Sequence, residues 1–100
     1  MFKSSLQFID YKKLNRYIVS RPDRLILLNK WLTTDYWSET QYVGKNSHGI
    51  VISVYTRTGS WTTLSGDAGR DLISLCSYIF NISQHKAALR IIETMRWSCA

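Results

Sequence analysis

Leu14, Tyr17 and Ile18 recur at the i, i+3, i+4 spacing of one helical face, while Lys12, Lys13 and Arg16 fall outside that stripe. The pattern predicts a helix over about 11–19, with Asp10 placed to accept from the first free backbone N–H groups. Pro22 fits the first turn of a second helix, where its missing N–H would be unpaired anyway. That helix runs through Leu25, Leu28, Lys30 and Leu32, with Asp23 favourable at its positive end. Leu25, Leu28 and Leu32 share a face, and Ile26, Leu27 and Trp31 lie beside it. So apolar a helix is expected to be well buried.

The pattern changes after Leu32. Residues 36–64 are rich in Tyr, Trp, Val, Ile and Thr, which suit a pleated surface. A strand is expected at about 40–44, a Gly/Asn/Ser loop at 44–49 and a second strand at 50–56. In the second strand Ile50, Ile52 and Val54 alternate with Val51, Ser53 and Tyr55, so one face is apolar and Tyr55 points away. Thr58-Gly59 predicts a tight turn, and Trp61–Leu64 return as a third strand. Ser65–Gly69 is the strongest loop signal in the chain. A third helix follows at about 70–80 with Leu72, Leu75, Cys76 and Ile79 inward. Asn81-Ile82 connect it to a fourth helix at 84–96, capped by Ser83, with Ala88, Ile91, Ile92 and Met95 inward. The expected fold class is α+β: two N-terminal helices, a three-stranded antiparallel meander and two C-terminal helices, in a single domain over 1–100.

Composition narrows the function. One hundred residues and 11.6 kDa make one small domain, which buries about 65% of its extended surface and leaves little room for an enclosed cofactor. No apolar run reaches the roughly 18 residues of a membrane span, and the opening Met-Phe-Lys-Ser-Ser-Leu has no signal-peptide pattern. A soluble, cytoplasmic protein is expected, with no membrane partner. Net charge is +6, and most of the excess lies in residues 1–34, where Lys3, Lys12, Lys13, Arg16, Arg21, Arg24 and Lys30 face only Asp10 and Asp23. A basic stripe of this kind is the footprint of a polyanion binder.

Catalytic and metal chemistry find little support. Cys76 reads as a buried small hydrophobe and Cys99 as an exposed terminal thiol; with only His48 and His85 besides, zinc would need every Cys and His in the chain. Asp67 and Asp71 read as a helix cap and a dipole partner, not a metal pair. Ser60, Ser65 and His48 make no nucleophile signature. The loop Gly66-Asp67-Ala68-Gly69 lacks the Lys-Ser/Thr of a nucleotide-hydrolysing loop, but its N–H groups, with Arg70 beside them, suit a backbone phosphate. No catalytic residue, cofactor or metal is expected. Among the aromatic residues, Trp31 and Trp61 suit the core, whereas Tyr55 offers a stacking surface for bases.

The stretch Ile52–Leu64, the glycines Gly66 and Gly69, and Asp71-Leu72-Ile73-Ser74-Leu75 together resemble the N-terminal zinc-ribbon-like domain of bacterial, phage and plasmid DNA primases. The likeness is to the divergent versions fused to mobile-element primase–helicases, with their strand, "TG-x-W" turn, glycine loop and "LISL" helix opening. Ile82–Ala88 matches the opening of the following helix. Leu28, Trp31, Leu32, Gln41-Tyr42-Val43 and Asn46 fit upstream, so the resemblance spans about 25–95, preceded by a basic helix at about 10–20. It implies a role in recognising template DNA. Two departures qualify it: Trp61 and Leu64-Ser65 stand where the family has a Cys-x-x-Cys pair, and Arg70 replaces the second loop glycine. The resemblance therefore implies no zinc. None of the 100 residues corresponds to the catalytic domains, so primase activity is not implied.

The expected function is non-catalytic nucleic-acid binding within a mobile element. Lys12, Lys13, Arg16, Arg21 and Arg24 would grip phosphates of single- or double-stranded DNA, and Tyr55, Arg57 and Arg70 would line the sheet and loop. The alternative is a protein–protein module, an inhibitor or adaptor acting on a replication or host-defence complex; a homodimer through a sheet edge is a variant of it.

Overall fold

The computed structural model describes residues 9–95, which form four helices and a five-stranded antiparallel sheet, an α+β fold. Helix α1 is Tyr11–Val19. Asp10 caps it as expected, its Oδ1 accepting from the Lys13 N–H at 3.1 Å. Leu14 and Ile18 are fully buried, and Lys12, Lys13 and Arg16 are exposed. Helix α2 is Asp23–Trp31, with Pro22 one position earlier than expected, at the N-cap. Its burial differs from the sequence reading. Leu27, Leu28 and Leu32 are buried, but Leu25 and Trp31 are half-buried and Ile26 is 55% exposed. Apolar character all round cannot all be satisfied in so small a domain, and among the described residues the neighbours of this helix leave Ile26 uncovered. The dipole role expected of Asp23 rests on a side chain outside those described, and Cys99 and the last residue expected of the fourth helix also lie outside.

The sheet has two more strands than the sequence pattern predicts. Strands β1 (Thr33–Trp37), β2 (Gln41–Lys45), β3 (Val51–Tyr55), β4 (Trp61–Thr63) and β5 (Ala68–Gly69) pair in chain order. The central three are the expected meander, with ends shifted by a residue or so. Strand β1 was hidden because all five of its residues are exposed, so no alternation marks it. It pairs with β2 across an irregularity at Asp35. Strand β5 lies inside the segment read as pure loop. There Ala68 and Gly69 pair with Thr62 and Trp61, and a side chain at Gly69 would collide with the Trp61 indole and the Ser74 hydroxyl.

Register puts Tyr42, Val54 and Trp61 on the inner face of the sheet, with Ile52 and Thr63 beside them. Tyr42, Ile52, Val54 and Trp61 are all buried there. Helices α3 (Leu72–Phe80) and α4 (Gln84–Met95) complete the core with Leu72, Ile73, Leu75, Cys76, Ala87, Ala88 and Ile91. Asp71 caps α3 through a 2.7 Å bond from the Ser74 N–H. Asn81 ends it in the left-handed conformation, φ 55°. Ser83 accepts from the Lys86 N–H at 3.2 Å, as its expected capping role requires. Burial raises the Cys76 thiol to about 11, against a small lowering by Arg90.

Candidate nucleic-acid interface

Three separate stretches of chain meet where α1, the β3–β4 turn and the start of α3 come together. Asn15 joins them. Its Nδ2 donates to the Thr58 carbonyl at 2.8 Å and its Oδ1 accepts from the Leu72 N–H at 2.9 Å. The turn can approach this closely because residue 59 is glycine. Its φ is +84°, and a Cβ there would lie 2.7 Å from Asn15 Oδ1. The Gly59 N–H closes the turn by donating to the Tyr55 carbonyl at 2.7 Å.

The resulting cleft has a volume of about 470 Å³. Lys12, Asn15, Arg16 and Val19 line it from one face of α1, since positions i, i+3, i+4 and i+7 stack along a helix. Arg57 and Thr58 line it from the turn, and Arg70 and Asp71 from the approach to α3. Four of the eight predicted nucleic-acid-binding residues, Lys12, Arg16, Arg57 and Arg70, thus share one concavity. Residues distant by more than 50 positions supply it. Among the described residues none of these four cations forms an ion pair; the one described pair joins Lys45 to Asp35, 3.9 Å apart at the other end of the sheet. Asp71 is the cleft's only carboxylate among its lining residues, and it is committed to the α3 cap.

The other four predicted residues lie elsewhere. Lys13 is round the helix from Lys12, in a shallow groove with Arg16, Tyr17 and Ser20. The Arg21 guanidinium stands 5.2 Å from the centre of the Tyr17 ring. Arg24 is half-buried, and its Nη1 donates to the Arg21 carbonyl at 2.9 Å. These two arginines bind the α1–α2 connection to itself and do not line the cleft. Tyr55 is 55% exposed on the outer face of the sheet. Register places Tyr36 on that same face, through Val43 and Ser53.

Two sequence readings of the acidic and glycine-rich positions change. Of the pair read as a cap and a dipole partner, Asp71 is the cap of α3, which starts later than expected, and Asp67 fills neither role. It accepts from the Tyr78 hydroxyl at 2.9 Å, which raises the tyrosine's pKa. The segment Gly66–Gly69 is half of a β4–β5 hairpin, in which the Asp67 N–H donates to Thr63 Oγ1 at 3.0 Å, so its backbone is partly committed to the sheet. Asn15 was missed by the sequence reading. A polar residue of modest helix propensity between Leu14 and Arg16, in mid-helix, is the signal that could have found it.

Among the described residues no three His, Cys, Asp or Glu side chains gather to hold a metal ion, and no helix is long and apolar enough to cross a membrane. No family model, curated protein or solved structure matches the chain.

Proposed function

We propose that the protein is a non-catalytic nucleic-acid-binding module of a mobile element, and that the cleft is where phosphate binds. The observation that carries this is the meeting of Lys12, Arg16, Arg57 and Arg70 in one cleft, with no ion-pair partner among the described residues. Like charges held together repel, and a polyanion relieves that repulsion. The resemblance of residues 25–95 to the primase template-recognition domain supports the same reading, and Tyr55 and Tyr36 on the outer sheet face offer stacking area for unpaired bases.

Fluorescence anisotropy with labelled single- and double-stranded DNA tests it. Micromolar or tighter binding should weaken steeply between about 50 and 200 mM salt, because each neutralised phosphate releases counterions. Charge reversal at Lys12 and Arg16 together should abolish most of that binding. Unchanged affinity in that variant would refute the assignment.

One feature favours a second reading, the protein–protein module. Among the described residues strand β1 is a sheet edge with no further strand beside it, and it carries Tyr36 and Trp37, 56% and 58% exposed. An edge with exposed aromatics suits strand addition by a partner or a second copy. On that reading the purified protein binds no DNA, and substitution of Trp37 removes the partner.

A further inference from the structure

We propose that the cleft recognises a contiguous phosphate chain, the triphosphate group of a nucleotide or of a 5′-triphosphorylated RNA end. The inference rests on the phosphate-binding reading of the same cleft and specifies its ligand. Four cations from three elements surround about 470 Å³, a volume within the range of about 300–1,000 Å³ typical of small-ligand sites. Against them stands one carboxylate, Asp71, already held by the Ser74 N–H.

A protein that holds the interior of a strand tracks it with cations spread along a groove, because a sugar separates each phosphate charge from the next. Among the described residues the cations next to the cleft do not extend it as such a track: Lys13 turns round α1 into a separate shallow groove. Arg21 is held over Tyr17 and Arg24 is folded onto the Arg21 carbonyl. On the outer face of the sheet Lys45 is paired with Asp35. Four cations therefore share the one cleft, and a chain of phosphates joined only through bridging oxygens matches that grouping. The neutral part of the lining is fixed, with Asn15 bound at both ends of its amide and Thr58 Oγ1 in a 2.8 Å bond with Ser60 Oγ. The long cationic side chains close on the ligand from a rigid seat.

The test compares short RNA oligonucleotides of one sequence that carry a 5′-hydroxyl, a 5′-monophosphate or a 5′-triphosphate, together with inorganic tripolyphosphate and ATP as competitors. The triphosphate end should bind at least about tenfold more tightly than the hydroxyl end, a difference of about 1.4 kcal/mol. Arg57→Gln with Arg70→Gln should erase that difference. Displacement by ATP and tripolyphosphate identifies a free nucleotide as a sufficient ligand; binding of the RNA end without such displacement identifies the strand terminus. Equal affinity for all three ends, lost on cleft substitution, overturns the triphosphate inference and leaves nucleic-acid binding standing. Binding of ATP with no oligonucleotide bound at any end does the opposite. No binding of any of these ligands overturns both. The comparison of ends uses the unaltered protein, so it does not depend on how a variant folds.

Discussion

Two concavities flank α3, and they differ in how their polar groups are used. The cationic cleft lies at the helix's N-terminal end. A groove of about 640 Å³ lies along its side, facing the β2–β3 loop, with His48, Ile50, Trp61, Ser77 and Tyr78 among its lining residues. The groove is the larger, and its polar atoms are mostly engaged within the protein. The Trp61 indole N–H donates to Ser74 Oγ at 3.0 Å, Ser77 Oγ donates to the Ile82 carbonyl at 2.5 Å, and Tyr78 donates to Asp67. Asn46 Oδ1 accepts from the N–H groups of His48 and Ile50. In the cleft Asn15, Thr58 and Asp71 are engaged in the same way, but the four cations are not. The two concavities thus differ not in size alone but in unpaired charge held within a rigid frame, which the cleft has.

The largest test of that contrast removes the charge. Replacing Lys12, Arg16, Arg57 and Arg70 by Gln should lower the slope of log affinity against log salt by about three, and affinity by about 1,000-fold near 0.1 M salt. A titration over several salt concentrations reads both, and an unchanged slope would move the site elsewhere. The helix that separates the two concavities can be tested through Cys76 on its buried side. A thiol raised from 9.0 to about 11 by burial favours folding fully below pH 9, where both states are protonated. Above pH 9 the unfolded chain loses its proton first, so stability falls by about 3 kcal/mol until pH 11 and then levels off. Urea unfolding across pH 8–11 should show this decline. Cys76→Ala should lose the part that begins near pH 9 and keep the later part due to Tyr42 and Tyr78, whose pKa values are also raised.

A smaller change breaks the frame of the cleft and leaves its charges in place. Gly59→Ala puts a Cβ against Asn15 at a positive φ, which should cost about 2 kcal/mol of stability and weaken binding as the turn moves. The smallest effects come from one hydrogen-bonding group on each side. Asn15→Ala leaves the Leu72 N–H without its partner and should cost about 1–2 kcal/mol. Binding should fall with it. Tyr78→Phe removes a partly exposed hydroxyl from the groove side and should cost less than about 1 kcal/mol, with binding unchanged. Equal effects of these two substitutions on binding would erase the distinction between cleft and groove.

Helix α1 was legible because its stripe is unambiguous. Leu14 and Ile18 face the core, the lysines do not, and Asp10 supplies the cap. Strands β2 to β4 were legible for the same reason, since Ile52 and Val54 alternate with Ser53 and Tyr55. Edge strand β1 was not, because a strand with no buried face leaves no period in the sequence. Ala68 and Gly69 carried a loop composition, and only the close approach of Trp61 and Ser74 to Gly69 explains their place in the sheet.

The amino-acid sequence by itself determined the four helices, the caps Asp10 and Ser83, the central meander and an excess of positive charge, because each follows from neighbours a few positions apart. It marked Lys12, Lys13, Arg16, Arg21, Arg24, Arg57 and Arg70 as one class of residue. Only the tertiary structure divided them, bringing four into a cleft and folding Arg21 and Arg24 back onto their own connection. Charge is written residue by residue, but its concentration depends on distances between stretches of chain. Here those distances are set by Asn15, Gly59 and the start of α3, contacts that span more than 40 positions and leave no periodic trace.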